Sequence, residues 1–213
     1  MTGGQEGAES LAIGVVSLGC AKNRVDSEIL IASLARAGHT ITPDAAEAEV
    51  IVVNTCGFLE SAKQESIDTI LEMAKYKKTG RCRALVVTGC LSQRYAPELR
   101  ADLAEVDAFF GVAQYGEIPG WLSRLPEGGE AYISAEPSDI INAGSRILTT
   151  PPYTAYLKIA EGCSNRCGYC AIPLIRGPFR SRPMESVLDE AKELADSGVK
   201  ELILIAQDTT AYG

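Results

Sequence analysis

The spacing of hydrophobic residues over the first 112 positions alternates between two patterns. Short, uninterrupted apolar runs predict buried β-strands, and apolar residues three or four positions apart predict helices between them. Strands that alternate with helices and are apolar throughout indicate a parallel sheet covered on both faces, so we expect an α/β fold. The predicted strands are 13–18, 50–53, 84–87 and 108–112, and the predicted helices are 25–37, 60–77 and a short one whose first turn holds Pro97.

This pattern breaks between residues 126 and 152, where PEGGE, EPSD, NAGS and TTPP are typical of turns and linkers. A second alternation follows, with a strand over 155–159, a helix over 183–197 and a strand over 201–206. Elements in this order predict a right-handed βαβ unit. The predicted organisation is a disordered N-terminus over 1–10, a parallel-sheet domain over 11–126, a linker over 127–150 and a second domain over 151–213.

The second domain is too small to be complete. One βαβ unit can neither close a barrel nor cover both faces of its own sheet. We therefore expect residues 151–213 to be the first part of a larger barrel. On this interpretation the chain is a fragment of a longer protein and is inactive by itself.

Composition and charge narrow the function classes. The 213 residues are 46% hydrophobic and carry 28 acidic against 20 basic side chains, a net charge of −8. An acidic surface repels phosphate, which argues against nucleic acid as the substrate and favours a protein partner. The single histidine, His39, argues against His-rich metal sites and the common Ser-His-Asp or Cys-His arrangements, unless it serves alone. We expect His39 on the surface at the start of a strand.

The number of cysteines and the hydropathy of the chain indicate the cellular compartment of the protein. Seven cysteines in a chain of this length indicate reduced, metal-type thiols rather than a disulfide framework. No apolar run reaches the ~18 residues of a membrane span. The apolar stretch over 11–20 follows Glu6 and Glu9 without a Lys or Arg, so it lacks the positive region of a signal sequence. We expect a cytoplasmic protein that does not contact a membrane.

The strongest chemical signal is a C-x₃-C-x₂-C motif formed by Cys163, Cys167 and Cys170, on a loop after a predicted strand. Thiolates are the usual ligands of iron–sulfur clusters, so three in one loop can surround one cluster. Three ligands for four irons leave one iron open to a small molecule, as an open position marks catalytic zinc. The alternatives to a cluster are a zinc knuckle and three unrelated thiols. A zinc knuckle would require a fourth Cys or His nearby.

A second set of cysteines follows three different predicted strands. Cys20 follows VVSLG, Cys56 follows VIVVNT and Cys90 follows ALVVTG. The carboxyl ends of parallel strands meet at one edge of a sheet, where such sheets bind ligands. We therefore expect these thiols to converge on a second cluster with an open iron, the alternative being that each is a small buried hydrophobe. Cys82 follows Arg81 rather than a strand and is interpreted as a bystander.

The first motif, with the aromatic Tyr169 before its last cysteine, resembles the signature of the radical S-adenosylmethionine enzymes. The resemblance implies a [4Fe–4S] cluster on Cys163, Cys167 and Cys170 at the start of a TIM-like barrel, with S-adenosylmethionine on the open iron. It also implies that one electron splits this cofactor to a 5′-deoxyadenosyl radical, which removes hydrogen from a C–H bond. Tyr169 is implied to lie near the adenine, or else is a packed aromatic side chain.

The pairing of the two cysteine sets resembles the methylthiotransferases of this superfamily, in which a domain with an auxiliary cluster precedes the barrel. The resemblance begins at about Ile13, and several segments are similar to the branch that modifies ribosomal protein uS12. The tRNA-modifying branch has GCQMN and GQN where this chain has GCAKN and AQD. The similar segments are SLGCAKNRVDSE (17–28), NTCGFLESAKQES (54–66), GCLSQRY (89–95), IAEGCSNRCGYCAIPLIRGPFRSRP (159–183) and LIAQDTTAYG (204–213).

This resemblance implies two [4Fe–4S] clusters, S-adenosylmethionine and a two-part reaction. A radical forms at the β-carbon of an aspartate in uS12, and the auxiliary cluster on Cys20, Cys56 and Cys90 supplies the sulfur, methylated by a second S-adenosylmethionine. The implied electron donor is a flavodoxin or ferredoxin. Contact with nucleic acid is implied only for a C-terminal domain beyond this chain.

Charged residues around the first motif have less specific roles. Arg176, Arg180 and Arg182 could clamp the cofactor carboxylate or the substrate aspartate, or could form a solvated basic loop. Gln207 and Asp208 end the second barrel strand and so face the ligand side. Many enzymes of the superfamily have a GGE-type segment there for the cofactor amino group, so the AQD of this chain leaves that contact in doubt.

Polar residues also lie close to the first two cysteines of the second set, namely Asn23, Asp26 and Asn54. Asp26 falls near the start of the predicted helix 25–37, where a carboxylate commonly caps the free backbone N–H groups. Capping explains Asp26 without any further function.

Two other functions are compatible with the same motifs. One is a tRNA adenosine methylthiotransferase, which shares the chemistry but has a nucleic-acid substrate. The other is not an enzyme but an iron–sulfur electron carrier or a cysteine-rich metal-binding module. The acidic charge and the GCAKN and AQD segments argue against the first.

Overall fold

The computed structural model describes residues 10–125, 131–133 and 146–213, the middle segment for its backbone alone. This part of the chain forms a six-stranded sheet with its helices, followed by a smaller βαβ unit. Residues 1–9 of the N-terminus predicted to be disordered, and most of the predicted linker over 127–150, lie outside the described residues.

The first unit is built on a parallel sheet. Its strands are β1 (Ala12–Ser17), β2 (Thr40–Ile41), β3 (Val50–Thr55), β4 (Ala84–Gly89), β5 (Ala108–Phe110) and β6 (Ala131–Ile133). They pair in parallel in the order β2-β1-β3-β4-β5-β6, which confirms the predicted α/β fold. The edge strands β2 and β6 are additions to the prediction, and β6 falls within the range assigned to the linker.

Helices cover both faces of this sheet. They are α1 (Ala21–Arg36), α2 (Glu60–Ala74), α3 (Tyr76–Thr79), α4 (Cys90–Asp102) and α5 (Ile118–Leu122). One core cluster packs α1 and α5 on the first face through side chains such as Leu30, Leu34 and Trp121. A second cluster packs α2 and α4 on the other face through Ile70 and Leu91. The carboxyl edge of the sheet, where β1, β3 and β4 end, stays between these two layers.

Two expectations from the sequence are wrong in this unit. Pro97 does not begin a helix but lies inside α4, which starts at Cys90. Burial of Leu91 and Leu99 against the sheet offsets the hydrogen bond that an interior proline removes. His39 is buried rather than on the surface: Leu11 donates its backbone N–H to the His39 Nδ1 at 3.4 Å, and burial lowers the pKa of the imidazole.

The second unit contains the predicted βαβ arrangement. β7 (Thr154–Lys158) and β10 (Glu201–Ile205) pair in parallel, and α7 (Met184–Asp196) connects them. A short antiparallel pair, β8 (Ala160–Glu161) with β9 (Arg180–Ser181), closes the base of the cysteine loop, which contains α6 (Ile172–Arg176). This pair was not predicted, because two-residue strands leave no periodic pattern in the sequence.

The two units pack on each other through α1. Tyr156 and Ile205 of the second unit pack against the core cluster that contains α1. The backbone N–H of Ile147 donates to the carbonyl of Glu28 at 3.3 Å. None of the helices in the described ranges combines the length and apolar character that a membrane crossing requires.

Candidate metal centres

The loop between β8 and α6 brings the three cysteines of the C-x₃-C-x₂-C motif to one cavity. Cys163, Cys167 and Cys170 all line this cavity, whose volume is about 510 Å³. The backbone N–H of Cys170 donates to the carbonyl of Cys167 at 3.0 Å, and that of Cys163 donates to Gly177 at 3.1 Å. The cavity is open to solvent, since Cys167 is exposed and the other two thiols are half-buried. Three thiol donors around one accessible space fit an iron–sulfur cluster with room for a further ligand.

Two further residues from the sequence analysis flank this loop. Tyr169 is 87% exposed, so the alternative that it is a packed aromatic side chain is wrong. Asp208 lines a smaller cavity of about 200 Å³ together with Cys163. Hydrogen bonds from the hydroxyl and backbone N–H of Thr210 lower the pKa of Asp208. Gln207 is half-buried and lies two residues beyond the end of β10, so it and Asp208 follow the strand rather than end it.

The structure also brings the turns of the second cysteine set together. Cys20 precedes the first residue of α1, Cys56 follows β3 directly, and Cys90 is the first residue of α4. A Cβ on Gly19 would lie 2.8 Å from the Cβ of Cys56, and a Cβ on Gly57 would lie 2.9 Å from the carbonyl carbon of Cys90. The three turns therefore touch at the carboxyl edge of the sheet.

The thiols of this set differ in exposure. Cys20 is exposed, Cys56 is half-buried and Cys90 is buried. Burial raises the pKa of the Cys90 thiol, while the adjacent Arg176 guanidinium opposes that rise. The site is therefore open to solvent at Cys20 and buried at Cys90, where the Arg176 guanidinium lies next to the thiol.

Among the described residues, no group of three or more His, Cys, Asp or Glu side chains is arranged so that it could hold a metal ion. A single ion draws its ligands to one point, whereas each corner iron of a cluster takes its own thiolate. Thiolates around a cluster therefore lie further apart than those around one ion. The three thiols of each set are the donor chemistry that iron–sulfur clusters use.

Two asparagines hold the turns of the second set in place. Asn23 Nδ2 donates to the carbonyls of Leu18 at 3.0 Å and Thr55 at 2.8 Å, which ties the Cys20 turn to the end of β3. Asn54 Nδ2 donates to the carbonyl of Asn23 and to the Ser27 hydroxyl, both at 2.9 Å. Both asparagines are buried, so their amides replace the water that would otherwise satisfy these backbone groups.

Asp26 does not cap a helix, contrary to the expectation from the sequence. It lies in the second turn of α1, buried, where its carboxylate accepts from Lys158 Nζ at 2.6 Å and from Arg176 Nη2 at 3.0 Å. Glu161 accepts from the same two cations, at 2.9 Å from Lys158 and 3.0 Å from Arg176. These four residues form a closed ring of two cations and two anions across the boundary between the units, here called the ion ring.

Burial alone disfavours every charge in the ion ring. It acts to lower the pKa of Lys158, but the carboxylates of Asp26 and Glu161 outweigh it and raise that pKa. Burial acts to raise the pKa of Glu161, but the two cations hold it well below its usual range. Each ion is therefore stable only because its partners are in place. Sequence reasoning missed this ring, although Lys158 and Glu161 both stand directly beside the first cysteine motif.

A second buried set of ion pairs lies next to the ring. Arg146 contacts Glu28 at 2.8 Å and Glu190 at 3.0 Å, and Arg182 contacts Glu190 at 2.5 Å. Arg182 and Arg176 are buried, so the interpretation of these arginines as a solvated basic loop is wrong. Their guanidinium groups bind carboxylates of the chain itself. The half-buried Arg180 donates to the carbonyls of Pro178 and Arg176.

The close approach of these turns predicts a strong effect at Gly89. Its φ is +99°, and an added Cβ would lie 2.5 Å from the carbonyl oxygen of Thr55. We expect Gly89→Ala to lower the free energy of unfolding by about 2–4 kcal/mol, the sum of backbone strain and steric overlap. Gly198→Ala is the matched control, because Gly198 has a φ of +104° and nothing within 4 Å of the added Cβ. Urea unfolding of both variants measures the difference, and equal losses would contradict a steric role for Gly89.

Comparisons with known proteins agree with this geometry. Residues 12–111 match a family described as "Uncharacterized protein family UPF0004", and residues 157–213 match the "Radical SAM superfamily". The first match covers β1 to β5 of the first unit, and the second match begins within β7 of the second unit. The first match contains Cys20, Cys56 and Cys90, and the second contains Cys163, Cys167 and Cys170.

Curated relatives cover both units in the same order. A protein of Pelotomaculum thermopropionicum is 55% identical over 204 residues, which are 95% of this chain and 46% of that protein. One of Syntrophus aciditrophicus is 53% identical over 95% of this chain and 46% of its own length. One of Clostridium botulinum (strain Eklund 17B) is 57% identical over 94% of this chain and 45% of its own length. All three are named "Ribosomal protein uS12 methylthiotransferase RimO".

The chain thus spans just under half the length of the curated relatives it matches. Over that half, identity above 50% extends across both units and across the boundary between them. The resemblance found from the motifs is confirmed by these matches. This chain belongs to the radical S-adenosylmethionine methylthiotransferase family.

Proposed function

We propose that this chain provides both cysteine sites of an enzyme that adds a methylthio group to the β-carbon of an aspartate in ribosomal protein uS12. The observation that carries the proposal is the contact between the two cysteine-bearing units, with one thiol set on each side of their boundary. The name shared by relatives more than 50% identical supports uS12 as the substrate. The activity, the substrate and the partners belong to the whole enzyme.

Each thiol set would hold one [4Fe–4S] cluster through three corners. S-adenosylmethionine would bind in the cavity of about 510 Å³, with the exposed Tyr169 ring at hand for its adenine. When bound, these groups supply the hydrogen abstraction at the substrate carbon and the sulfur that is transferred. The proposed ligands are Cys163, Cys167 and Cys170 for the first cluster and Cys20, Cys56 and Cys90 for the second.

The chain's own contribution is to hold the two sites against each other. Cys90 of the first unit packs with Ala171 and Ile175, which lie just beyond the first motif in the second unit. The same short stretch ends at Arg176, which reaches the ion ring and Cys90. One wall of the second site is therefore the continuation of the loop that bears the first, and this contact would position the reacting groups relative to each other.

Reduction of the cluster in the solvent-open loop requires a one-electron donor. We propose a flavodoxin or a ferredoxin in this role, because the reaction begins with a single electron. The exposed Cys167 lies on the accessible side of the loop, which is where such a donor would approach.

The test uses the protein at the full length of its relatives, reconstituted anaerobically with iron and sulfide. We expect incubation with reductant, S-adenosylmethionine and uS12 to produce 5′-deoxyadenosine and one methylthio group on an aspartate-containing peptide, measured by mass spectrometry. A variant with Cys163, Cys167 and Cys170 replaced by Ala should yield neither product.

Other outcomes would refute the proposal in distinct ways. Methylthio-adenosine in tRNA with unmodified uS12 would assign the enzyme to the tRNA branch. Absence of 5′-deoxyadenosine from protein that contains its clusters would favour an electron carrier.

A further inference from the structure

Arg176 extends from the unit that bears the first cysteine motif to the second cysteine site. It is the last residue of α6, six positions beyond Cys170, and it is fully buried. Its Nη2 atom lies 3.6 Å from the Sγ of Cys90, a distance within reach of an N–H···S hydrogen bond. The guanidinium comes from the second unit, whereas Cys90 belongs to the first.

The orientation of this guanidinium is fixed on several sides. Nη2 donates to Asn23 Oδ1 at 2.6 Å and to Asp26 Oδ2 at 3.0 Å, and Nη1 donates to Glu161 Oε2 at 3.0 Å. Because Nη2 has only two N–H groups, its contact with Cys90 Sγ is one arm of a three-centre hydrogen bond. Asn23 Oδ1 itself lies 3.6 Å from Cys90 Sγ. The planar fork of an arginine can make such contacts in fixed directions, which a lysine cannot.

The formal charges around Cys90 define the electrostatic environment of a thiolate there. Within the ion ring, Arg176 and Lys158 balance Asp26 and Glu161, so the ring is neutral by itself. A thiolate on Cys90 adds one negative charge next to the guanidinium. Solvent screens this pair weakly, because both partners are buried.

We propose that Arg176 is a positioning residue of the second cysteine site: it donates an N–H···S hydrogen bond to Cys90 as a cluster ligand and raises the reduction potential of that cluster. This inference rests on the proposed function, in which Cys90 is such a ligand. Reduction of a cluster adds one electron, and a nearby cation stabilises the more negative state. Hydrogen bonds to the sulfurs and net charge are known determinants of cluster potentials.

A consequence concerns the assembly of the site. The cation that sets the potential is contributed by the second unit, so the first unit has its full electrostatic environment only when the two are docked. The electronic state of one site therefore depends on the other unit.

The test measures the potential of the second cluster alone. The full chain carries Cys163, Cys167 and Cys170 replaced by Ala in every sample, so that a single cluster remains, and its reduction is followed by electron paramagnetic resonance in a redox titration. We expect Arg176→Met to make reduction at least tenfold less favourable, a shift of 59 mV or more to negative potential for a one-electron couple. Arg176→Lys should restore more than half of this shift.

A variant that should shift the reduction potential in the opposite direction distinguishes an electrostatic effect from damage to the fold. Asp26→Asn removes a negative charge from the ion ring and should shift the potential in the positive direction. Arg182→Met is the matched control, since Arg182 is equally buried and loses an ion pair with Glu190 but does not contact a cysteine. It should leave the potential unchanged.

Several results would overturn the inference. They are an unchanged potential in Arg176→Met, an equal shift in Arg182→Met, or a shift of the same sign in Asp26→Asn and Arg176→Met. If the Arg176→Met protein binds no iron, Arg176→Lys and Asp26→Asn provide the test. The reduction potential should then shift to negative values in Arg176→Lys, by less than half of the shift expected for methionine, and to positive values in Asp26→Asn. Lack of a cluster in the sample with Arg176 intact would instead overturn the proposed function, and with it the role of Arg176.

Discussion

Replacing Lys158 by methionine is expected to lower the free energy of unfolding by roughly 3–5 kcal/mol, the usual cost of breaking a buried ion pair. Lys158 is the cation that binds Asp26 at 2.6 Å and Glu161 at 2.9 Å, and its side chain is only 4% exposed. Without it, two buried carboxylates share the single guanidinium of Arg176. Methionine has a similar shape, so the loss measures charge rather than a cavity. Urea unfolding followed by fluorescence of the buried Trp121 gives the value.

A surface pair provides the control for this prediction. Arg81 and Glu47 lie 3.3 Å apart, each with 62% of its side chain exposed. Arg81→Met should change stability by about 0–1 kcal/mol, because exposed pairs are screened by solvent. A loss in Lys158→Met as small as that in Arg81→Met would contradict the role of the ion ring.

The double variant Asp26→Asn with Lys158→Met sharpens the test. It removes one charge of each sign and leaves Arg176 paired with Glu161 at 3.0 Å. We therefore expect it to be less destabilised than the sum of the two single variants, since residues of one ion network do not contribute additively. Additive losses would show that the two side chains act independently.

The elements that the sequence predicted are those with a strong local pattern. β3 and β4 are fully buried apolar runs, so their composition alone identifies them. The two-residue strand β2 has no such run and depends on backbone pairing with β1. The start of α4 at Cys90 was missed because an interior proline usually marks a helix boundary, whereas here packing against the sheet decides.

The residues of the candidate sites likewise divide into those that a local sequence pattern predicts and those that it does not. The cysteines could be found because the spacing of the first motif is specific and because parallel strands end at one edge. The ion ring could not, since Asp26 and Lys158 are 132 residues apart and nothing local to either indicates the other. Asp26 was instead interpreted by the local rule for helix capping. Long-range pairing of buried charges is visible only once the two units are docked.

Removal of the second thiol set should halve the iron content of the protein. At four irons per cubane, we expect about eight irons in the reconstituted wild type and about four after Cys20, Cys56 and Cys90 are replaced by Ala. The physical reason is that, under the proposed function, each set would hold its own cluster by three corners, and the two sets lie in different units. Iron, sulfide and zinc are quantified anaerobically on the same samples.

Cys82 supplies the internal control for this experiment. It is buried in the core of the first unit, its Sγ lies 3.3 Å from the carbonyl of Ala84, and burial raises the pKa of its thiol. Cys82→Ala should therefore keep the full iron content. Unchanged iron after loss of the second thiol set would remove the auxiliary centre, and zinc in place of iron would make that set structural. A fall to half the iron, with Cys82→Ala unaffected, ties one cluster to the edge where β1, β3 and β4 end, next to the boundary that Arg176 spans.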